Sequence, residues 1–172
     1  VYSADPRVVA DARHLAELTY EQMQEMAEAG AKVLNSTAVE FARRARIAIH
    51  ARSTFGAGRE TVVHDGASAS APAVVGTKDL ARLTVRGGAA ALGRALALAE
   101  ELGLSVRASS VDGDAARLLV DASGPDFGKA EARLRGSFSE LELERGLGAV
   151  SLVARDLASR PALMGVALAA LP

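Results

Sequence analysis

The chain has 172 residues, enough for one full domain or two small ones, and its formal net charge of -1 gives no electrostatic reason to expect nucleic acid or an anionic membrane as a partner. It contains no cysteine, which excludes disulfides and Cys-ligated metal, and no apolar run reaches the ~18 residues of a membrane span, so we expect a cytoplasmic protein. Hydrophobic residues make up 49% of the chain but aromatic ones only 3%, which favours a core built from Ala, Val and Leu on prominent helices.

The first predicted helix follows residue 18. Thr19 and Gln22 have capping-box spacing, in which the hydroxyl and the amide each accept from a free backbone N–H of the first turn. Met23 and Met26 recur on one face, and Gly30 is placed to end the helix in the left-handed conformation.

A second helix is predicted from a repeat of the same signature. Thr37 with Glu40 has the capping spacing, and Val39, Phe41 and Ala42 alternate with arginines as a buried face alternates with a solvated one. We therefore expect those three apolar side chains to be buried.

A strand and a linker are predicted next. Residues 47–52 alternate with period two, which is typical of a strand with Ile47 and Ile49 on one face. Residues 66–76, GASASAPAVVG, are small and uncharged and include a proline, which indicates a linker or domain boundary.

The second half of the chain shows an alternation of strands and helices. Strands are predicted at residues 80–85, 105–110, 116–120 and 149–154, and helices at 89–102 and from 125 to about 135. Gly103 would end the first of these helices, and Asp112-Gly113 would form a hairpin turn. The order βαββαβ predicts a ferredoxin-like unit, a four-stranded antiparallel sheet with two helices on one face. A last apolar helix is predicted at residues 162–171.

Several segments together resemble one family. VYSADPR at residues 1–7, LTYEQMQEMAEAGAKVL at 18–34 and AVEFARRARIAIHARSTF at 38–55 are similar, in this order, to the closing third of the kinase domain of aspartate kinases. The sequence from residue 80 resembles the ACT regulatory domains of that family, and residues 149–171 resemble the opening of its second ACT unit.

The resemblance implies a fold class and a division of the chain. The fold is an α/β (α+β) arrangement, the C-terminal piece of an amino-acid-kinase domain followed by a ferredoxin-like ACT domain. The segments implied are 1–65 for the nucleotide-binding piece, 66–78 for a linker, 79–148 for the ACT-like domain and 149–172 for the start of a second ACT unit.

The resemblance also implies contacts to ATP, as its Mg²⁺ complex. The residues it implies for this site are Tyr2, Ser3, Ala4, Asp5, Pro6, Arg7 and Lys32. The tyrosine would border the base, Asp5 with Pro6 would hold the loop, and Arg7 and Lys32 suit anionic oxygen. Without the resemblance, residues 2–7 are more typical of a surface turn in which Asp5 pairs with Arg7 or with solvent. Lys32 would then be a helix C-terminal cap or a solvated charge.

No independent active site is predicted. His14, His50 and His64 share no metal-ligand spacing, and no phosphate-binding glycine loop or nucleophile motif occurs. Arg43, Arg44 and Arg46 are expected on a solvated helix face. We therefore expect neither a catalytic residue nor a metal ligand in this chain.

An effector site is implied for the regulatory part. The residues implied are Arg86, Gly87, Gly88, Ala89, Ser159 and Arg160. The glycines are expected to keep backbone amides accessible to a carboxylate. The first loop lacks the family's acid and proline, and residues 159–162 read SRPA where a ser-his-pro-gly-like turn is usual, so a degenerate unit that serves mainly in dimer contact stays an alternative.

Two functions are expected from the resemblance. The first is part of an aspartate kinase, the ATP-dependent enzyme of lysine, threonine and methionine synthesis, with lysine or threonine as possible effector. Because Val1 lies inside the nucleotide loop, a fragment inactive by itself is expected. The alternative is a non-catalytic regulatory or assembly module that pairs with a catalytic chain. Self-association is expected from the apolar last helix and the sheet edge.

Overall fold

The computed structural model of the chain describes residues 1–54, 58–66, 72–154 and 157–170. It divides into two compact units, one formed by Val1–Thr77 with Val150–Pro172 and the other by Lys78–Ala149. Within the described residues, no helix is both long enough and apolar enough to cross a membrane.

The regular elements alternate along the chain. In order they are β1 (Glu17–Leu18), α1 (Tyr20–Glu28), α2 (Ser36–Ala45), β2 (Ile49–Ala51), β3 (Thr61–Val63), β4 (Ala73–Arg86), α3 (Gly88–Glu101), β5 (Val106–Asp112), β6 (Ala115–Asp121), α4 (Phe127–Ser137), β7 (Glu142–Val153), a short 3-10 helix (Leu157–Ser159) and α5 (Pro161–Ala169).

The first unit contains a small mixed sheet in the order β1-β3-β2, in which β1 is parallel and β2 antiparallel to β3. Helices α1 and α2 pack on each other, and their apolar faces share a core with the start of β4 and the end of β7. The buried members of this core are Leu15, Leu18, Tyr20, Met23, Met26, Val39, Val63, Ala73, Val75 and Val153.

The second unit has the predicted βαββαβ order. Its sheet runs β5-β6-β4-β7, and β6 is antiparallel to both β4 and β5. Ala91, Ala95 and Ala99 lie on one face of α3 and are buried against the sheet. Their small side chains let the helix approach closely, so the prediction of an Ala-rich core is confirmed here.

The cap of α1 confirms its predicted start. The Thr19 hydroxyl accepts from the Gln22 amide at 3.2 Å, and the Gln22 side chain accepts from the Thr19 amide at 3.2 Å. Met23 and Met26 are buried, and Gly30 follows the helix with a φ of +107°. Both polar groups of the box are buried, so the pairing satisfies two amides that water does not reach.

The start of α2 differs from the prediction. Asn35 caps this helix, and its side-chain oxygen accepts from the amides of Thr37 and Ala38. The predicted cap at Thr37 is wrong because asparagine two residues earlier already satisfies those donors. Phe41 was expected to be buried but is 67% exposed, whereas Val39 is fully buried.

Two further boundaries differ from the sequence analysis. Arg46 ends α2 in the left-handed conformation, so the predicted strand at 47–52 shortens to β2 and leaves Ile47 exposed. Residues 73–76 of the predicted linker belong to β4, where Ala73 and Val75 are buried. Residues 67–71 of that linker, and Leu171 of the predicted last helix, lie outside the described residues.

Strand β7 starts earlier than the sequence predicts. The composition of its first half, with Glu142, Glu144 and Arg145 next to glycines, favours a loop over a strand. In the structure Gly146 takes a φ of +73° inside the strand, an irregularity that glycine permits at little cost.

We predict that Thr19→Ala lowers the free energy of unfolding by about 1 kcal/mol, because it removes one side of the buried capping box. The matched control is Thr37→Ala, an exposed position inside the first turn of α2, which should change stability by less than about 0.5 kcal/mol. Chemical denaturation of both variants measures the difference. An equal loss from the two substitutions would contradict this assignment of the caps.

Candidate functional site

The N-terminal segment folds back on itself as a closed loop. Ser3 donates its amide to the Arg13 carbonyl at 2.8 Å, and Leu15 donates to the Val1 carbonyl at 3.0 Å. The Ser3 hydroxyl also accepts from the Arg13 amide. Residues 4–12 are therefore held at both ends by a short antiparallel ladder around Tyr2 and His14.

Asp5 organises the tip of this loop. Its carboxylate accepts from the Arg7 amide at 2.9 Å and from two nitrogens of the Arg7 guanidinium at 3.0 and 2.8 Å. The Asp5 carbonyl accepts from the amides of Val8 and Val9. The hydrogen bond that Arg7 donates to Asp5, and then the negative charge of Asp5, raise the pKa of Arg7 above its usual value. The fork of Arg7 is thus fixed, charged and open to solvent.

Tyr2 and His14 form the aromatic part of the loop. Their rings lie 5.4 Å apart at 75°, an edge-to-face contact, and Tyr2 is 37% exposed. Partial burial, followed by the positive charges of the N-terminus and Arg59, lowers the pKa of His14 below its ordinary value. The lowered pKa favours the neutral imidazole, and Tyr2 remains partly exposed beside it.

Lys32 lies in the turn between α1 and α2. Its side chain is exposed, and within the described residues it has no hydrogen bond or ion pair. The turn is fixed by Thr77, whose hydroxyl donates to the Ala29 carbonyl at 2.8 Å. A Cβ on Gly30 would lie 2.5 Å from the same hydroxyl oxygen, so only glycine permits this approach.

The two predicted nucleotide segments are anchored on one strand. Val74 of β4 donates its amide to the Ser3 carbonyl at 2.7 Å, and Thr77, three residues later, holds Ala29. Three residues of extended strand span about 10 Å. The structure therefore brings the loop at residues 2–7 and the turn with Lys32 onto neighbouring parts of β4.

The backbone amides of the glycine loop at the end of β4 already donate hydrogen bonds within the protein. Gly87 and Gly88 donate their amides to the Asp114 carbonyl at 3.0 and 2.9 Å, and the Asp114 carboxylate accepts from Gly87 as well. Both glycines have positive φ. The expectation that these two amides are accessible to a carboxylate is wrong, because the β5–β6 hairpin occupies them.

The other predicted effector residues lie elsewhere in the chain. Ser159 ends the 3-10 helix and Arg160 precedes α5, and both are exposed. They belong to the first unit, whereas residues 86–89 belong to the second.

Arg94 is not among the site residues predicted from the sequence. In the structure it lies on α3 and lines a cavity together with Arg86. The available signal was its position, because it is the first charged residue in an otherwise apolar helix of Ala, Leu and Gly.

Among the described residues, the histidines do not come together in a metal site. His50 lies 3.1 Å from Glu60, and His64 accepts from the Gly66 amide. Across the part of the chain that the structure describes, no group of three or more His, Cys, Asp or Glu side chains could hold a metal ion.

Comparisons of sequence agree with the arrangement of the first unit. Residues 1–53 match the amino acid kinase family. An aspartokinase of Mycobacterium tuberculosis is 51% identical over 63 residues, which cover 37% of this chain and 15% of that protein. An aspartokinase of Pseudomonas aeruginosa is 40% identical over 93 residues, covering 51% of this chain and 23% of that protein. The matched region is thus less than a quarter of either relative.

Comparison of structures extends over both units. Escherichia coli aspartokinase III, solved in complex with lysine and aspartate in the T-state, matches with a TM-score of 0.75 at 24% identity, over 91% of this chain and 38% of that chain. The same enzyme with aspartate and ADP in the R-state gives 0.73 at 24% identity, over 92% and 39%. At this identity the likeness establishes the fold, and it confirms the predicted α/β class.

We predict that Gly30→Ala destabilises the chain by about 3 kcal/mol, because it combines an unfavourable φ with a clash against Thr77. Gly103→Ala is the matched control. Gly103 also has a positive φ, +66°, but no atom lies within 4 Å of its added Cβ, so we expect a loss of about 1 kcal/mol. Chemical denaturation compares the two, and equal losses would show that the contact with Thr77 contributes nothing.

Proposed function

This chain is similar in sequence and fold to part of the aspartokinases, and from that premise we propose that it belongs to the C-terminal part of an ATP-dependent kinase of L-aspartate. The whole enzyme would transfer a phosphoryl group from ATP to the side-chain carboxylate, forming 4-phospho-L-aspartate for lysine, threonine and methionine synthesis in the cytoplasm. The unit Val1–Thr77 would complete the nucleotide site, and the unit Lys78–Ala149 would be the regulatory ACT domain.

The observation that carries the proposal is the shared anchoring of residues 2–7 and Lys32 on β4. A nucleotide presents a flat base and a chain of anionic phosphates, so its site needs an apolar ring and cations at a fixed separation. Ser3 and Ala29 are held by Val74 and Thr77, and these two anchoring residues lie about 10 Å apart along the strand.

Arg7 and Lys32 would act on the phosphates in different ways. Asp5 occupies part of the Arg7 fork, and the remaining N–H donors face solvent, where they can bind a phosphate oxygen. Lys32 is a mobile point charge with no competing partner among the described residues, which suits a flexible polyphosphate. Tyr2 would border the base with its exposed ring.

Magnesium would enter as part of the ATP substrate. The described residues contribute cations and an aromatic ring to the proposed site, and no cluster of acidic ligands. The first unit would therefore orient the nucleotide. The rest of the proposed chemistry, including aspartate binding, would come from parts of the enzyme outside this chain, so we expect this chain alone to be inactive.

The regulatory assignment extends the proposal to the rest of the chain. Residues 79–148 would form the ACT domain and residues 149–172 would begin a second one, with an amino acid such as lysine or threonine as effector. The ferredoxin-like strand order β5-β6-β4-β7 supports the first of these assignments.

We predict that ATP-Mg stabilises this chain through residues 2–7 and Lys32. At about five times its Kd, ATP should raise the melting temperature by about 2–4 °C, since binding to the folded state alone is worth about 1 kcal/mol. Arg7→Gln and Lys32→Gln should each reduce the shift, because each removes a cation that faces the phosphates.

Two matched variants serve as controls for this experiment. Arg13→Gln removes an exposed guanidinium from the base of the same loop, and Lys78→Gln removes an exposed ammonium from the second unit. Both should keep the full shift. No shift in the unmodified chain, or equal losses in all four variants, would contradict the proposed site.

The alternative function is an assembly module. Both this function and the first proposal include association of the chain with a second copy or with a catalytic chain. Strand β5 is the edge of its sheet and is exposed along its whole length, with Val106 and Val111 facing solvent. Such an edge is a template for pairing with a second copy or with a catalytic chain. Helix α5 offers a second apolar surface with Met164, Val166 and Leu168.

We predict that the chain forms a homodimer through β5. Light scattering at tens of micromolar should give about twice the monomer mass of 17.7 kDa. Val111→Lys should restore the monomer because it places a charge at the edge, whereas Val166→Lys on α5 should leave the dimer intact. A monomer in the unmodified chain would contradict self-association, and dissociation by Val166→Lys alone would move the interface to α5.

A further inference from the structure

Tyr2 and His14 lie opposite each other at the base of the N-terminal loop. The two backbone hydrogen bonds of the short ladder join the residues before and after this pair, at 2.8 and 3.0 Å. In an antiparallel ladder the side chains of such a non-hydrogen-bonded pair approach most closely and lie on the same face. The edge-to-face contact of the two rings, with centroids 5.4 Å apart, follows from this register.

The Tyr2 ring depends on this contact for its orientation. Among the described residues the tyrosine hydroxyl has no hydrogen-bond partner, and 37% of the residue is exposed. An exposed side chain of this kind normally moves between several rotamers. The packing against the imidazole of His14 therefore decides the angle at which the tyrosine ring meets a ligand.

Thr61 fixes the imidazole of His14 in turn. This threonine is fully buried in β3, and its hydroxyl oxygen lies 3.3 Å from Nε2 of His14. The hydroxyl donates its single hydrogen to the Leu15 carbonyl at 2.6 Å, so toward the imidazole it can only accept. The hydrogen-bond network thus assigns a proton to Nε2, and it holds the ring in one orientation.

The three side chains form a series of contacts that leads from the sheet to the surface. Thr61 is buried on β3, the central strand of the first unit's sheet, His14 is half-buried, and Tyr2 is partly exposed. An exposed binding group is held precisely when the residues behind it are themselves locked by packing and hydrogen bonds. His14 can therefore affect a ligand of Tyr2 without touching that ligand.

We propose that His14 is a positioning residue for the base of the nucleotide. The inference rests on the proposed function, in which Tyr2 borders the base while Arg7 and Lys32 bind the phosphates. Held by Thr61, the imidazole keeps the Tyr2 ring at the angle at which the base packs on it. Contacts between flat rings depend on their angle and separation, so His14 contributes to the affinity for the base and leaves the affinity for the phosphates unchanged.

The test compares ATP-Mg with tripolyphosphate-Mg, which carries the phosphates without the base. Isothermal titration calorimetry of the full chain measures the Kd of each. His14→Ala should weaken ATP binding roughly three- to tenfold, the contribution of one aromatic contact, and should leave tripolyphosphate binding unchanged. His14→Phe keeps a ring against Tyr2 and should restore most of the affinity for ATP. His14→Gln keeps a donor for Thr61 but has no ring, so it should bind ATP as weakly as His14→Ala.

A second histidine provides the matched control. His50 is exposed on β2 and pairs with Glu60, so His50→Ala should keep both affinities. Circular dichroism establishes that each variant is folded. If His14→Ala does not fold, the comparison of His14→Phe with His14→Gln decides the same question.

The outcomes distinguish the inference from its premise. Unchanged ATP binding in every His14 variant would overturn the inference and leave the proposed function standing. An equal loss of ATP and tripolyphosphate binding would assign His14 to the stability of the loop and would also overturn it. Equal weakening by His14→Phe and His14→Gln would show that the ring contact with Tyr2 does not position the base. No ATP binding by the unmodified chain would overturn both the inference and the nucleotide site.

Discussion

Backbone and hydroxyl hydrogen bonds from the first five residues of β4 fix the proposed nucleotide surface. Val74 holds the N-terminal loop and Thr77 holds the turn after α1, so two segments far apart in sequence become neighbours on one strand. The remainder of the same strand pairs with β6 and supplies Leu83 and Val85 to the core of the second unit. The chemistry of both units thus depends on how this strand is paired.

The sequence predicted those helix and strand boundaries that depend on hydrogen bonds between residues close together in the chain. Thr19 and Gln22 are three residues apart and complete each other's hydrogen bonds, so the start of α1 could be predicted from those two residues. The same pattern at Thr37 failed because Asn35, a stronger cap in that context, comes two residues earlier. The start of β4 was assigned to a linker because small residues have little intrinsic preference, and tertiary packing of Ala73 and Val75 decided the outcome.

The same distinction between local and long-range contacts applies to the residues of the candidate sites. The pairing of Asp5 with Arg7 lies within one turn and could be predicted as the ordinary chemistry of that turn. Asp114 lies 27 residues from Gly87, and no local pattern indicates that its carboxylate would accept from the glycine loop. Arg94 and Glu140 likewise meet around one cavity only after α3 and α4 have packed on the sheet. Long-range contacts of this kind depend on the topology, which a single sequence does not specify residue by residue.

The hydrogen-bonded pair of Asp5 and Arg7 affects how fast and how specifically a ligand could bind. Holding a long arginine side chain in one rotamer normally costs conformational entropy at the moment of binding. Here two hydrogen bonds to the Asp5 carboxylate favour one rotamer of Arg7 before a ligand binds, although the guanidinium remains in water. A phosphate would meet a preorganised partner, and exchanging Arg7 for the more flexible lysine would keep the charge but restore the entropic cost.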